Sequence, residues 1–239
     1  MSGSQFLETS RLLRGQPALS LNYALDVVVE TIKPLDYATV LASPTELHIA
    51  TSSMKELKPR IFTHFASKED LKMILKATCC IPVAAGRPIA FDGDHFLDGG
   101  VLLTHPLLLA LDDGCTHILV LRTQVDTPFQ VISSLGQHMM AGYLQCLRPG
   151  LGTAYLDKVK QYQQLCRYVQ KTCRSWEKPP FILEVTCPPG THHVTRFTRD
   201  RGTLLQGLRA GCNAMLKALD GKEYAGQTYL RPIQFTCRE

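Results

Sequence analysis

Phe96-Leu-Asp-Gly-Gly-Val101, followed by Thr104-His-Pro106-Leu107, Asp113-Gly114 and the run Ile118-Leu-Val-Leu121, is the stretch on which the fold turns. Just upstream, Asp92-Gly93-Asp94 separates Pro88–Phe91 from His95–Leu97. Asp-Gly closes two-residue hairpins readily because both central residues take positive φ, so two short antiparallel strands are expected there. Asp98-Gly99-Gly100 then ends the second strand in a tight turn. A helix is expected from Pro106 to Leu111, stopped at Gly114, and His117 to Thr123 reads as a strand. Its nearly continuous apolar run at 118–121 predicts a strand covered on both faces, and hence a sheet that is at least partly parallel.

Toward the N-terminus, residues 4–14 and 23–32 read as short helices, the second stopping before Pro34. Residues 47–52 and 60–65 are strand-like. Ser67-Lys-Glu-Asp70 has the form of a capping box and opens a helix with Leu71, Ile74, Leu75 and Thr78 on one side. That helix must end before Pro82. Toward the C-terminus, Leu156, Val159, Gln163, Cys166, Val169 and Cys173 recur every three or four residues, as on one helix face. Phe181 to Thr186 is a strand closed by Pro188-Pro189-Gly190. A last helix covers about 200–219, with Leu204, Leu208, Cys212, Met215 and Leu219 as its expected core stripe. Strands alternating with helices make this an α/β fold.

Composition narrows the function classes. A chain of 239 residues buries roughly 70% of its extended surface, which gives a core that needs no disulfide staples. With 45% hydrophobic and 20% charged residues the sequence is not that of a disordered chain. The net charge is +5, but the basic residues are scattered, and the densest group (Arg196, Arg199, Arg201) surrounds Asp200. No nucleic-acid partner is expected, whereas weak attraction to anionic lipid surfaces is compatible with the charge. The longest apolar candidate, Val101–Leu111, is interrupted by Thr104, His105 and Pro106 and falls short of a membrane span. The first eight residues lack the basic and apolar regions of a secretory signal. A soluble, cytoplasmic protein is expected.

The nine cysteines form no C-x-x-C pair and no zinc-like spacing with histidine. They read as reduced thiols, mostly small buried hydrophobes, and no metal or cofactor is expected. Cys79-Cys80 invites a nucleophile reading. Small residues filling a helix end before Pro82 is the simpler one.

Asp98 is the best candidate base: a carboxylate at a strand end, where α/β sites lie, followed by two glycines that permit a tight turn. Phe96-Leu-Asp-Gly-Gly-Val101, then Pro106-Leu107 and Ala110, then Asp113-Gly114 and Ile118-Leu-Val-Leu121 resemble the stretch around the catalytic aspartate of patatin-like phospholipases. Asp70-Leu71 through Leu75-Lys-Ala-Thr-Cys-Cys-Ile-Pro82 is similar to that family's helix ending in small residues and Ile-Pro. Leu12-Leu13-Arg14-Gly15, Tyr23-Ala24-Leu25-Asp26, Lys33-Pro-Leu-Asp-Tyr37, Leu41-Ala-Ser-Pro44 and Thr195-Arg-Phe-Thr-Arg-Asp200 resemble its bacterial-type branch. The resemblance covers nearly the whole chain and is strongest from 11 to 123. It implies a three-layer α/β/α fold, one domain over 1–239 with its core at about 11–125 and a mostly helical part at about 126–239. It also implies hydrolysis of lipid acyl esters by a Ser-Asp dyad, with Asp98 as proton acceptor and Gly99 and Gly100 supporting the turn.

The departures are as informative. No G-x-S-x-G elbow and no Gly-rich oxyanion loop occur in residues 1–239; Gly3-Ser4 and Ser133-Ser134-Leu135-Gly136 do not fit. Ser20 and Asn22 stand where related sequences tend to carry acidic residues. In a serine hydrolase, losing the nucleophile costs about 10⁶ in turnover and an oxyanion donor about 10²–10³. The chain is therefore expected to lack the family's N-terminal strand-elbow-helix portion and to be inactive alone, either as part of a longer enzyme or as a non-catalytic module that binds lipid or protein. An uncovered sheet edge would also favour self-association. Of the remaining candidates, His192-His193 reads as a surface pair, His105 as a helix-start residue and Trp176 as packing or a helix-end cap.

Overall fold

The computed structural model describes residues 5–125, 134–172, 178–187, 194–195 and 197–220. The protein is mixed α/β and divides into two compact units, residues 1–118 with 130–182 and residues 119–129 with 183–239.

The first unit holds a four-stranded sheet in the order β2-β1-β4-β3, built from β1 (Ile49–Ser53), β2 (Lys58–Phe62), β3 (Ile89–Phe91) and β4 (Asp94–Asp98). The Asp-Gly hairpin forms as expected. Asp92 and Gly93 both take positive φ (50° and 71°), and β3 pairs with β4 with Phe91 opposite Asp94. Pro59 lies in β2, an edge strand of this sheet, where a missing N–H is tolerated.

The expected parallel character is not found in this sheet. β1 runs antiparallel to both β2 and β4, as β3 does to β4. Short hairpin connections at 54–57 and 92–93 enforce that sense for β1–β2 and for β3–β4, because a parallel neighbour needs a long crossover.

Paired residues share a face, so Ile49, Phe62, Phe91 and Phe96 lie on one side of the sheet and Leu97 with Ser52 on the other. α2 (Lys68–Thr78) packs on the first side, with Leu71 and Ile74 buried against Ile49 and Tyr37. Ser67 caps it as the sequence indicates, accepting the Asp70 N–H at 3.1 Å. Phe62, Phe91 and Phe96, one from each of three strands, close up with centroids 5.6–6.4 Å apart. On the other side Leu97 joins Leu102, Leu144 of α4 (Ser134–Leu147) and Leu151 of α5 (Leu151–Thr172) in a second cluster. α1 (Tyr37–Leu41) is short and capped by Asp36, and α3 (Leu107–Asp112) follows Pro106.

The two N-terminal helices are not α-helices. Thr9–Arg14 is a 3-10 turn, and Tyr23–Ile32 is wound as a π-helix. Asp26 and Glu30 of the latter face Lys68, Lys72 and Lys76 of α2, in pairs of 2.5–3.4 Å. For Asp26, burial pushes the carboxyl up but is outweighed by the hydrogen bonds and charges of Lys76 and Lys72, which hold it below its ordinary value.

β5 (His117–Val125) pairs with β6 (Phe181–Cys187) in a separate two-stranded sheet. Arg122 and Glu184 form an ion pair across it at 3.2 Å. The apolar run 118–121 is not covered on both faces. Val120 is buried, while Leu119 and Leu121 are 48% and 67% exposed. The strand therefore follows the two-residue alternation of a half-buried sheet rather than the two-sided burial its composition suggests.

In the second unit, α6 (Arg201–Asp220) starts where Asp200 accepts the Thr203 N–H at 2.6 Å. Its expected core stripe holds only in part: Leu204 and Met215 are half-buried, but Leu208, Cys212 and Leu219 are exposed. The covered side is rotated toward the small residues Gly207, Ala210, Gly211 and Ala214. A Cβ at Gly207 would lie 2.5 Å from a Val194 methyl. Among the described residues, no helix is long and apolar enough to cross a membrane.

Candidate functional site

Asp98 closes β4, an interior strand of the first sheet, and is half-buried. Its N–H donates to the Cys80 carbonyl at 2.9 Å, tying the strand end to the turn after α2. One carboxylate oxygen, Oδ1, accepts the Gly100 N–H at 2.7 Å and so caps the 3-10 turn Gly99–Val101. Gly99 is required by packing against backbone, whereas at Gly100 a side chain would meet only the Asp98 carboxylate. A Cβ on Gly99 would meet the Ala50 carbonyl oxygen at 2.4 Å, and one on Gly100 would meet Asp98 Oδ1 at 2.9 Å.

The turn is held from behind by Ser52 of β1. Its buried hydroxyl donates to the Asp98 carbonyl at 2.8 Å and accepts the Leu102 N–H at 3.0 Å. Thr78, at the end of α2, donates to the Ala50 carbonyl at 2.6 Å. From α5, the Lys158 ammonium donates to the Gly100 carbonyl at 2.7 Å and lies about 6 Å from the Tyr155 and Tyr162 ring centroids. His105 stacks on Tyr162 at 6.2 Å, and its Nδ1 accepts the Leu107 N–H at 3.1 Å. Asp98-Gly99-Gly100 is thus a carboxylate-bearing turn bordered by a lysine and aromatic rings.

No protein-family model matches the chain, and no curated protein matches it.

Other candidate residues are placed as follows. Ser53 and Asp94 form a direct hydroxyl–carboxylate pair, but both are buried. Asp94 Oδ1 also takes the N–H groups of Lys55 and His95, at 3.0 and 2.6 Å. This pair is a clasp for the β1–β2 turn, closed to any substrate. Ser20 caps the π-helix through the Tyr23 N–H at 3.2 Å, and Asn22 accepts from Lys76 at 3.1 Å.

The thiols correct the reading of buried cysteines. Cys80 is buried, but Cys79, Cys115, Cys146 and Cys212 are exposed. Burial, Asp98 and Cys79 together push the Cys80 thiol up to about 11. Desolvation and then the Asp98 charge raise Cys79 as well, although solvent reaches that residue. Neither is poised as a thiolate at neutral pH. The Cys166 side chain, Cys173, the Cys187 side chain, Cys237, Trp176, His192-His193, Gly3-Ser4 and Ser133 lie outside the described residues.

Sequence reasoning found the Asp98 turn and missed its supports. Ser52 reads as one more polar residue in a strand. Tyr155, Lys158 and Tyr162 do carry a signal, an i, i+3, i+7 spacing that marks one side of α5, but only the tertiary fold brings that side to the turn some 58 residues away in sequence.

Proposed function

We propose that this chain is of the patatin-like lipid acyl-ester hydrolase lineage, with Asp98 as the base half of a Ser-Asp dyad and no nucleophile of its own within residues 1–239. The observation that carries the reading is the Asp98 turn: a half-buried carboxylate at the end of an interior strand, one oxygen fixed by the Gly100 N–H at 2.7 Å. A general base works from such a fixed position, within hydrogen-bond reach of the hydroxyl it deprotonates. The three-layer α/β/α arrangement of the family is supported by α2 on one face of the sheet and the Leu144 and Leu151 contacts on the other.

The 239-residue chain should show no hydrolysis of short acyl esters and no labelling by a serine-directed fluorophosphonate. Labelling lost on substituting one serine of this chain would overturn the reading. A reading frame continuing upstream of Met1 through a Gly-rich loop and G-x-S-x-G would give the complete enzyme. In that form Asp98→Asn should keep the fold and cut turnover by about 10² or more, whereas near-unchanged turnover would make Asp98 a turn residue only.

A second reading, a non-catalytic module binding lipid or protein and prone to self-association, is favoured by the exposed Leu119 and Leu121 on β5. Stop codons upstream of Met1, with a labelling-negative chain that associates at micromolar concentration, would select it.

A further inference from the structure

The segment before the π-helix forms a closed loop. Leu7 pairs with Leu19, the Glu8 N–H donates to the Ala18 carbonyl at 2.9 Å, and the Ser20 N–H donates to the Phe6 carbonyl at 2.9 Å. Leu7, Ala18 and Leu19 at its base are buried, and Leu7 and Leu19 belong to the same core cluster as Leu97 and Leu144. At the far end, the 3-10 turn Thr9–Arg14 closes on Gly15 with φ 67°. Leu12 is 41% exposed there and Leu13 91%. A stem anchored in the core thus holds Leu13 out in water, with Leu12 partly exposed beside it. From Thr9 to Pro17 the only charged residues are Arg11 and Arg14, one on each side of the leucine pair. The one acid of the loop, Glu8 at the stem, accepts from Ser10.

The Arg11 guanidinium donates to the Gln5 carbonyl at 3.4 Å, while Arg14 is exposed. We propose that this loop is a membrane-surface wedge, with Leu12 and Leu13 entering the interface of an anionic bilayer, Arg14 meeting lipid phosphates and Arg11 adding its charge beside them. Size favours a bilayer over a protein partner. A stable protein contact takes about 800 Å² from each side, far more than two leucines at a loop tip offer. Interfacial anchoring needs only a few apolar side chains flanked by basic ones. Charge points the same way, since an anionic surface attracts each arginine and no acid at the tip opposes it. The wedge would give the acyl-ester reading its lipid surface, yet it is read by binding rather than hydrolysis, so either can fail alone.

The test is co-sedimentation of the full chain with vesicles of phosphatidylcholine, with and without phosphatidylserine. Binding should require phosphatidylserine and weaken with salt. Leu12→Ser/Leu13→Ser should lower it about tenfold or more, and Arg14→Gln about fivefold. Leu13 and Arg14 are exposed, so Leu13→Ser alone and Arg14→Gln should keep the melting profile of the parent chain while still weakening binding. As a second readout, Leu13→Trp in a Trp176→Phe background, which removes the only native tryptophan, should shift its fluorescence to the blue on adding those vesicles. Absence of binding, or binding equal in parent and variants, overturns the proposal. So does sedimentation without lipid that the same leucine substitutions abolish, which would make a second copy of the chain the occupant.

Discussion

Ser52 and Asp98 lie on neighbouring strands with the Ser52 hydroxyl 2.8 Å from the Asp98 main-chain carbonyl. Because the same oxygen accepts the Leu102 N–H at 3.0 Å, one buried side chain bridges the entry and the exit of the turn that carries the candidate base. The Asp98 carboxylate is placed by this arrangement and by the Gly100 N–H together, so the turn and the sheet act as one unit.

Ser52→Ala should therefore destabilise the protein by about 1–3 kcal/mol, the cost of leaving buried polar partners unsatisfied. Urea unfolding checks this. An unchanged midpoint would mean that the glycines alone hold the turn.

The two glycines should differ sharply. Gly99→Ala drives a methyl into the Ala50 carbonyl, main chain that cannot swing aside, and should cost about 3 kcal/mol or more. Gly100→Ala meets only the Asp98 side chain, which can rotate, and should cost about 1 kcal/mol while displacing the carboxylate. Equal losses in denaturant melts would show that the close approach of Gly99 to β1 is not what selects glycine.

What the sequence makes legible is local. Asp92-Gly93 fixes its hairpin, Ser67 its helix start, and Asp98-Gly99-Gly100 its turn, because each is decided by backbone conformations a few residues long. Burial across distance is not written that way. Leu119 and Leu121 match Val120 in type yet point away from cover, since a single sheet face is buried there. On α6 the half-buried side takes in Gly207 with Leu204, Leu205 and Leu216 and leaves out Leu208 and Leu219, and Val194 stands where a side chain at position 207 would. Likewise, the π winding of residues 23–32 coincides with a carboxylate pair facing three lysines from a helix about 40 residues later.

That charged ladder should give stability a pH signature. Hydrogen bonding by Lys68, with Lys72, holds the Glu30 carboxyl below its ordinary value against the opposing effect of burial, and Asp26 is also lowered. With folded values depressed, their stabilisation is present above the ordinary carboxylate range and is lost as pH falls through the folded values. Hydrogen bonding by Glu30 raises Lys72, so its contribution is complete below its ordinary value and fades only as pH rises through the higher folded one. Urea midpoints measured from neutral to acidic pH should drop less steeply in Lys72→Met than in the parent chain, and the difference should shrink in high salt. Parallel curves would show that the ladder adds nothing to stability.

The thiols offer a direct reading of the charge on Asp98. Iodoacetamide reacts with thiolate, so Cys115, Cys146 and Cys212, all exposed, should be alkylated first at neutral pH. Among the described thiols Cys80, buried and pushed up to about 11, should be last, with a thiolate fraction on the order of 10⁻⁴ at pH 7. Cys79 is the informative one, since solvent reaches it while Asp98 helps to keep it protonated. If Asp98 is ionised in the folded protein, Asp98→Asn should speed Cys79 alkylation severalfold. If Asp98 instead served Cys79 as an activating base, the same substitution would slow it, so the sign of the change, followed by mass spectrometry, separates a carboxylate that disfavours the thiolate from one that promotes it.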